Sequence, residues 1–306
     1  MTSLTATYTL GSPQISGPLA VYPVFGPPPA LDYRSLAEAI KLGAFVKELE
    51  HGASVGEVIV ENPTDLAILI YEGEQIQGAQ QNRSFDTSIL IPAKSGIPVP
   101  VSCIERGRWD RGRHAEPFAV SHNSSDPALR AIKREFANRP GGNGRPDQGA
   151  VWSEVGTRLG AFGVASRTDS LEDVFAERHD ALAELKRPLH AIPGQIGAVV
   201  EISGRPAALD LVSRSAVFAN LAPALASGYA LQAANATPAK PDDDRAERFL
   251  AKAVESRREL SANYGLGHAF SISRKRIVGA GIEHDGELIA LSIFPREQAA
   301  RGRSNG

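Results

Sequence analysis

A polar segment between two apolar strands carries the side chains of this chain that are best suited to binding or catalysis. It runs from Glu72 to Asp86 (EGEQIQGAQQNRSFD) and holds four glutamines, an asparagine and an arginine beside its carboxylates. Amide side chains offer both donors and acceptors, and the Arg83 guanidinium offers a planar five-donor fork, so together they could hold a ligand with a carboxylate or phosphate. The same composition also fits an edge strand with a polar solvent face. The residue types alone leave both readings open.

A second polar run follows the next apolar strand. The sequence from Glu105 to His114 (ERGRWDRGRH) contains four arginines, two glycines and Trp109. The arginines could form an anion-binding rim, with the tryptophan as a stacking face for a base or a sugar. They could equally form a solvated loop whose arginines pair with nearby carboxylates such as Glu116, at about 0–1 kcal/mol for each exposed pair.

Most familiar catalytic and metal-binding motifs are missing from the sequence. Cys103 has apolar strand neighbours that supply neither a base nor a helix N-terminus, so it is predicted to be a core residue and not a nucleophile. The histidines show no HxH or HExxH spacing, and there is no GxxxxGK[ST] phosphate loop or GxSxG elbow. The sequence therefore assigns no metal ligands and leaves the cofactor unknown. Metal-dependent chemistry stays open through single carboxylates such as Glu72, Glu74, Asp86 and Glu105.

Composition indicates an ordinary globular chain. The 306 residues include 33 basic and 35 acidic side chains, a net charge of −2, with 42% hydrophobic and 22% charged residues. A near-neutral charge gives no reason to expect nucleic acid or an acidic membrane as partner, and no apolar run approaches the ~20 residues of a bilayer span. We found no signal peptide, and one cysteine suits a reducing compartment, so the prediction is a cytoplasmic protein.

The elements that must position these side chains are β-rich in the first part of the chain. Residues 19–25 (LAVYPVF) read as a strand, and 33–49 have apolar residues near helical spacing, which predicts a helix. Four apolar segments follow at intervals too short for crossover helices: GEVIVEN, LAILIYEGE, TSILIPA and IPVPVSCIE. This spacing predicts antiparallel pairing in a sandwich or a partial barrel.

The second part of the chain mixes helices with hairpins. Helices are predicted over 126–139, 151–162, 170–186, 215–233 and 244–260. Turn residues predict hairpins at Ser203-Gly204 and at Asp285-Gly286, since Asp-Gly between apolar runs is typical of a type I′ turn. The predicted fold class is α+β, with an antiparallel β-rich core and several flanking helices.

The stretch GEQIQGAQQNRSFDTSILIPAKSGIPVPVSCIERGRW resembles the protein domain family named for its association with the ADP-ribosylglycohydrolase and rhodanese-phosphatase superfamilies, a family of unknown molecular function. Its pattern runs GE, G, QNR, a strand ending in PA, and VSCxExGRW. The matching positions here are Gly73, Glu74, Gly78, Gln81, Asn82, Arg83, Pro92, Ala93, Ser102, Cys103, Glu105, Gly107, Arg108 and Trp109. The similarity continues at Gln148, Trp152, Ser166, Thr168, Pro193, Gln195, Gly197, Asp210, Gly265 and Gly267.

The resemblance covers the chain from about Gly17 to Phe294 and predicts one domain over 17–294. Within it, 17–125 would be β-rich, 138–149 a glycine-rich loop and 150–294 mixed α+β, with an N-terminal segment at 1–16 and a flexible tail at 295–306. The family tends to have a histidine in its final strand where this chain has Ala290. A mechanism that needs that histidine therefore does not carry over.

The family name implies a link to NAD and ADP-ribose metabolism but no particular reaction. One hypothesis is a cytoplasmic ligand-binding domain, which could also be an enzyme, for a nucleotide-derived or ADP-ribose-like molecule. Glu74 would be its acid/base group. The ligand-binding residues would be Gln81, Asn82, Arg83, Glu105, Arg108 and Trp109. The alternative is a non-catalytic partner-binding or regulatory module, in which Gln81 and Asn82 satisfy buried backbone groups.

Overall fold

A computed structural model describes residues 7–50, 52–141, 143–256 and 258–296. The strands in chain order are β1 (Thr9–Leu10), β2 (Gln14–Ser16), β3 (Leu19–Phe25), β4 (Tyr33–Ser35), β5 (Phe45–Lys47), β6 (Glu57–Asn62), β7 (Ala67–Ile70), β8 (Glu74–Gly78), β9 (Arg83–Phe85), β10 (Ile89–Ile91), β11 (Ser95–Cys103), β12 (Phe118–Ser124), β13 (Gly197–Ile202), β14 (Arg205–Val212), β15 (Glu259–Leu260), β16 (His268–Ser273), β17 (Ile277–His284) and β18 (Glu287–Pro295). The helices are α1 (Leu36–Lys41), α2 (Pro127–Ala137), α3 (Gln148–Phe162), α4 (Leu171–Glu177), α5 (His179–Lys186), α6 (Ser215–Ala233) and α7 (Asp243–Val254). The predicted α+β class is confirmed.

The larger sheet collects strands from both ends of the chain. Its order is β1-β3-β13-β14-β18-β17-β16-β15, β2 also pairs with β3, and the pairings are antiparallel. Successive residues of a strand point to opposite faces. Leu19 and Val21 accordingly join the apolar core that includes α6, whereas Ala20 and Tyr22 join the core that includes α7. A helix therefore covers each face of this sheet.

Six strands close into a barrel in the order β11-β6-β5-β12-β8-β9. On β6, Val58 and Val60 are fully buried and belong to the core that fills the barrel, while Glu57 and Glu61 are only partly buried. Closure leaves no free strand edges within the ring. The sequence allowed a sandwich or a partial barrel, and the structure has a closed barrel beside the larger sheet. A small third sheet, β10-β7-β4, contains one parallel pairing, between β4 and β7.

Both hairpins predicted from turn residues are confirmed. Strands β13 and β14 meet at Ser203-Gly204, and strands β17 and β18 meet at Asp285-Gly286. The φ angles are +52° and +67° in the first turn and +50° and +80° in the second. Two consecutive positive φ angles define the type I′ turn, whose twist matches that of the flanking strands.

The helix predicted over 33–49 is wrong in extent. The structure has strand β4, then α1, then strand β5. The hydroxyl of Ser35 caps α1 by accepting a hydrogen bond from the Glu38 N–H, and the helix ends before Gly43, whose φ is +96°. Phe45 then pairs with Glu61 of β6. Tertiary pairing within the barrel overrides the local helical spacing.

The helix predicted over 170–186 is two helices, α4 and α5. They separate at Arg178, whose φ of −105° and ψ of 13° are not helical. The Arg178 guanidinium donates a hydrogen bond to the Phe162 carbonyl at the end of α3. This contact ties the break to the neighbouring helix, which the sequence pattern of a single amphipathic helix did not show.

Parts of the predicted termini lie outside the described residues. These parts are residues 1–6 of the segment predicted at 1–16 and residues 297–306 of the tail predicted at 295–306. Within the first of these segments, Thr9–Leu10 and Gln14–Ser16 are strands of the larger sheet.

A buried ion pair joins helix α2 to the larger sheet. The Arg130 guanidinium on α2 donates two hydrogen bonds to the Asp210 carboxylate on β14, at 3.0 and 2.5 Å, and both side chains are fully buried. The hydroxyls of Tyr71 and Tyr229 also donate to Asp210, at 2.9 and 2.6 Å. Burial acts to lower the pKa of Arg130, but Asp210 outweighs it and raises that pKa. Asp210 thus links four separate segments of the chain.

Replacing Asp210 with asparagine should lower the free energy of unfolding by about 3–5 kcal/mol, because the Arg130 guanidinium would remain buried without its counterion. Urea denaturation measures the change. Asp180, whose side chain is fully exposed, gives a matched control, and Asp180→Asn should stay within about 0.5 kcal/mol of the parent protein. A loss below about 1 kcal/mol for Asp210→Asn would contradict the assigned role.

Candidate functional site

The residues predicted for the site lie on and beside the β8–β9 hairpin of the barrel. Residues 79–82 connect the two strands, and the run that follows β11, Glu105 to Trp109, contacts this connection. Gln81, Arg83 and Glu105 are buried, whereas Trp109 is 38% exposed. The cluster is therefore mainly internal and does not decorate a solvent-facing sheet edge.

The Glu105 carboxylate is the centre of this cluster. It accepts hydrogen bonds from the Asn82 backbone N–H at 3.0 Å, the Thr168 hydroxyl at 2.9 Å and the Arg108 Nε at 2.8 Å. Burial acts to raise the pKa of Glu105, but these donors, led by Arg108, outweigh it and lower that pKa. Its hydrogen-bonding capacity is thus used largely inside the protein.

The side chains around Glu105 satisfy one another and the nearby backbone. The Arg108 guanidinium donates to the Ala79 carbonyl at 2.8 Å and to the Asn82 Oδ1 at 3.0 Å. The Gln81 amide donates to the carbonyls of Glu105 and Arg108, at 3.2 and 2.8 Å. These contacts tie the β8–β9 connection to the run after β11, which is a structural task.

Arg83 is fully buried at the start of β9. Its guanidinium donates to the Gln81 carbonyl at 3.1 Å and to the Ser54 carbonyl at 3.3 Å, and lies 3.6 Å from the Glu48 carboxylate. The Trp109 ring lies with its centroid 5.5 Å from the Arg83 Cζ. Burial lowers the pKa of Arg83. Arg83 therefore makes its contacts inside the protein and does not face solvent.

Four buried polar atoms around Arg83 have no hydrogen-bond partner among the described residues. They are Arg83 Nε, Glu48 Oε2, Gln80 Oε1 and Gln81 Oε1. Buried polar groups in native proteins are nearly always satisfied, by water where the protein supplies no partner. This end of the barrel is consequently a polar interior with spare hydrogen-bonding capacity.

Glu74 lies apart from the other predicted residues. It begins β8 and pairs with Ser124, roughly 13 Å along the strand from the residues around Asn82. The Tyr71 N–H donates to its carboxylate at 2.6 Å. Burial raises the pKa of Glu74 from 4.5 to about 7, and the bond from Tyr71 offsets only part of this shift. The structure brings six of the seven predicted residues together, and Glu74 is the exception.

Sequence reasoning missed three buried cations on helix α2. Arg130, Lys133 and Arg134 are all at least 95% buried. Lys133 lies 2.8 Å from Asp86, and Arg134 lies 3.2 Å from Glu72. The positions of the three cations put them on one helix face. A charged helix face is normally predicted to be exposed to solvent. The sequence could have indicated its burial only through the helical spacing of the three cations together with the acidic residues of the 72–86 segment.

This ionic network reaches a cleft between the barrel, helix α2 and the edge of the larger sheet. The cleft has a volume of about 480 Å³. Its walls include Asp86, Arg134, Asn138, Arg139, Leu260 and Tyr264. Asp86 Oδ1 accepts from the Ser102 hydroxyl at 2.6 Å and from the Lys133 ammonium group. The volume lies in the range of small-molecule sites, and the walls combine apolar side chains with a larger share of polar and charged ones.

The described parts of the chain contain no group of three or more His, Cys, Asp or Glu side chains placed to share a metal ion. Within the same parts, no helix has the length and apolar character that crossing a bilayer requires.

Fold and site together define an α+β protein that has a closed barrel beside a helix-covered antiparallel sheet and a polar cleft of small-molecule size between them. The chain belongs to the family described as ARPP-1, the ARG and Rhodanese-Phosphatase-superfamily-associated Protein domain, whose model matches residues 7–294. The family resemblance inferred from the sequence is confirmed. Comparison with curated proteins gave no match, and comparison with solved structures gave none either.

Replacing Asn82 with alanine should lower the free energy of unfolding by about 1–3 kcal/mol, because the Gly78 N–H and the Arg108 guanidinium would lose their shared acceptor. Chemical denaturation provides the measurement. Asn235 is exposed and makes one long hydrogen bond, so Asn235→Ala is the matched control and should change stability by under about 0.5 kcal/mol. Equal stabilities of the two variants would refute the structural role of Asn82.

Glu74 predicts a specific dependence of stability on pH. Its folded pKa of about 7 lies above the unfolded value of 4.5, so its contribution to stability is complete below pH 4.5 and is lost as the pH rises to 7. Glu74→Gln should match the parent protein at pH 4.5 and exceed its free energy of unfolding at pH 8 by up to about 3 kcal/mol. Denaturation at both pH values tests this. Parallel pH profiles for the two proteins would show that Glu74 does not titrate in this window.

Proposed function

We propose that this protein is a cytoplasmic binding protein for an anionic, nucleotide-derived small molecule of the ADP-ribose or NAD type, which it holds in the 480 Å³ cleft. The observation that carries the proposal is a pair of guanidinium groups, Arg134 and Arg139, in one cleft with the carboxylate of Asp86. A second carboxylate at the cleft, that of Glu259, lies 3.3 Å from the Arg274 guanidinium. The single cysteine is free and buried, which suits a reducing compartment.

The two arginines differ in how much binding capacity they have left. Arg134 is held by the Glu72 carboxylate and by the Asp86 carbonyl. Arg139 is exposed, its guanidinium carbon lies 3.6 Å from the centroid of the Phe136 ring, and no ion pair is found for it among the described residues. A stacked, unpaired guanidinium is well suited to bidentate binding of phosphate. Arg139 is therefore our choice for the principal anion contact.

Asp86 and the apolar wall supply the remaining groups that a nucleotide requires. A carboxylate accepts about four hydrogen bonds, and Asp86 uses one oxygen for Lys133 and Ser102. Its other oxygen is the acceptor we assign to sugar hydroxyls. Leu260, which is 85% exposed, and Tyr264 line the same cleft and offer apolar surface to a base.

The motif predicted from the sequence has a positioning role in this proposal. Asp86 directly follows strand β9 (Arg83–Phe85). The contacts of Asn82 with Glu105 and Arg108 therefore fix the start of the segment that places Asp86 at the cleft. Glu74 is not among the residues that line the cleft.

The alternative hypothesis is a partner-binding or regulatory module whose polar motif is structural. One observation favours the structural role of the motif. The contacts of Gln81, Asn82 and Arg108 are internal, as a structural motif requires. The family name points instead to the ADP-ribosylglycohydrolase and rhodanese-phosphatase superfamilies and so supports the nucleotide proposal. Binding measurements separate the two hypotheses.

Isothermal titration with ADP-ribose should detect binding by the parent protein, and Arg139→Ala should weaken it at least tenfold because a charged hydrogen bond to phosphate is lost. ADP-ribose at about 100 times its Kd should raise the free energy of unfolding by about 2.7 kcal/mol. Adenosine, which lacks phosphate, should bind more weakly than ADP-ribose.

Arg205 provides the control, because it is exposed on β14 and does not line the cleft. Arg205→Ala should bind ADP-ribose as the parent protein does. The proposal fails if ADP-ribose, NAD and AMP at millimolar concentration all leave the melting temperature unchanged. In that case the partner-binding alternative would stand, and a pull-down that found no stable protein partner would count against it.

A further inference from the structure

A second cavity, of about 240 Å³, lies between helix α6, the end of α5 and strands β3 and β13 of the larger sheet. Its walls are mainly apolar and include Val21, Leu189, Ala198, Phe218, Leu225 and Tyr229. It shares no lining residue with the nucleotide cleft. The inference drawn from it therefore does not depend on the proposed nucleotide binding.

Most polar groups at this cavity are already committed to other parts of the protein. Gln14 bonds both the N–H and the carbonyl of His190, each at 2.9 Å. Gln195 accepts from the Ile192 N–H at 3.0 Å and donates to the Gly197 carbonyl at 2.8 Å. The Tyr229 hydroxyl donates to Asp210. The two glutamines thus hold the connection between α5 and β13 in place and leave little capacity for a ligand.

Besides the exposed His190 imidazole, whose Nδ1 lies 3.1 Å from the Pro188 carbonyl oxygen, Lys186 is the polar side chain at the cavity that keeps binding capacity. Its ammonium group donates one hydrogen bond, to the Ser227 hydroxyl at 2.9 Å, and has no ion-pair partner among the described residues. Of the described residues that line the cavity, none is acidic. Burial lowers the pKa of Lys186, which reflects the cost of holding a cation against apolar walls. An anion at the cavity would offset this cost and occupy the two remaining N–H donors.

The size and the chemistry of the cavity define one class of ligand. An apolar cavity of about 150 Å³ accommodates benzene. The volume of this cavity, about 240 Å³, leaves room for a ring with a short alkyl chain. We propose that the cavity binds a small apolar carboxylic acid, with its hydrocarbon part against Phe218 and Leu225 and its carboxylate on the Lys186 ammonium group. A strongly polar anion would leave the apolar walls without a partner, and a cation would meet Lys186 with like charge.

The test is isothermal titration with three probes of one shape: 3-phenylpropanoate, 3-phenylpropan-1-ol and 3-phenylpropan-1-amine. The parent protein should bind the carboxylate at least tenfold more tightly than the alcohol, a difference of about 1.4 kcal/mol. The amine should bind more weakly than both. Lys186→Gln should remove the preference for the carboxylate while leaving affinity for the alcohol within twofold, and Lys186→Arg should retain the preference.

Two further variants complete the design. Ala219 is exposed at the cavity and Ala219→Trp, which places a ring there, should weaken binding of the carboxylate and the alcohol together. Lys275 is exposed on the β16–β17 connection, and Lys275→Gln should bind all three probes as the parent protein does. Equal affinities of the parent protein for carboxylate and alcohol would overturn the proposal. So would the absence of binding by either probe, or a preference for carboxylate that persists in Lys186→Gln.

Discussion

The burial of three cations on one face of helix α2 is the constraint on which the rest of this structure depends. An ion taken out of water costs several kcal/mol unless a partner of opposite charge and good geometry meets it. The partners come from distant parts of the chain: Asp210 from β14, and Glu72 and Asp86 from the polar segment around the β8–β9 hairpin. Helix α2 can satisfy all three only in one orientation, with the larger sheet on one side and the barrel on the other. Charge thus helps to specify the joint between the two β systems, together with strand β7, whose Leu69 joins the core of the larger sheet and whose Ile68 joins the core of the barrel.

The polar segment from 72 to 86 has its unusual composition because it is anchored at three points. Its ends, Glu72 and Asp86, are fixed by cations of helix α2. Its turn is fixed by the bonds of Asn82 to Glu105 and Arg108. A connector in a surface hairpin needs none of these contacts. The residues that make the segment resemble a binding site therefore place strands β8 and β9 of the barrel against helix α2. The proposed ligand site uses only the last residue of the segment, Asp86.

Local signals in the sequence predict the strands, the two type I′ hairpins and helix α6, because turn residues and apolar periodicity act over a few neighbouring positions. The helix over 33–49 fails because strand β5 is recruited by a barrel partner, a pairing that no local pattern encodes. The candidate site is less predictable still. The motif raised the hypothesis that Gln81 and Glu105 share a site, but only the structure shows their contact. The buried cationic face of α2 contradicts ordinary helix patterning, and the cleft takes Asp86, Arg139 and Tyr264 from segments far apart in the chain.

Whether a polar side chain can recognise a ligand depends on its uncommitted hydrogen bonds more than on its type. Arg83 and Arg108 read as an anion clamp in the sequence, yet both guanidinium groups are buried or part-buried and hydrogen-bonded to the protein, Arg108 through all three of its nitrogens. A ligand would have to compete with those bonds. Arg139 and Lys186 carry the same charge with most donors free. The first stands in a cleft that also offers carboxylates, while the second stands among mainly apolar walls that include no acidic residue. Arg139 and Lys186 carry the same charge, so their surroundings decide the ligand. We therefore assign a nucleotide to the cleft with Arg139 and an apolar carboxylic acid to the cavity with Lys186.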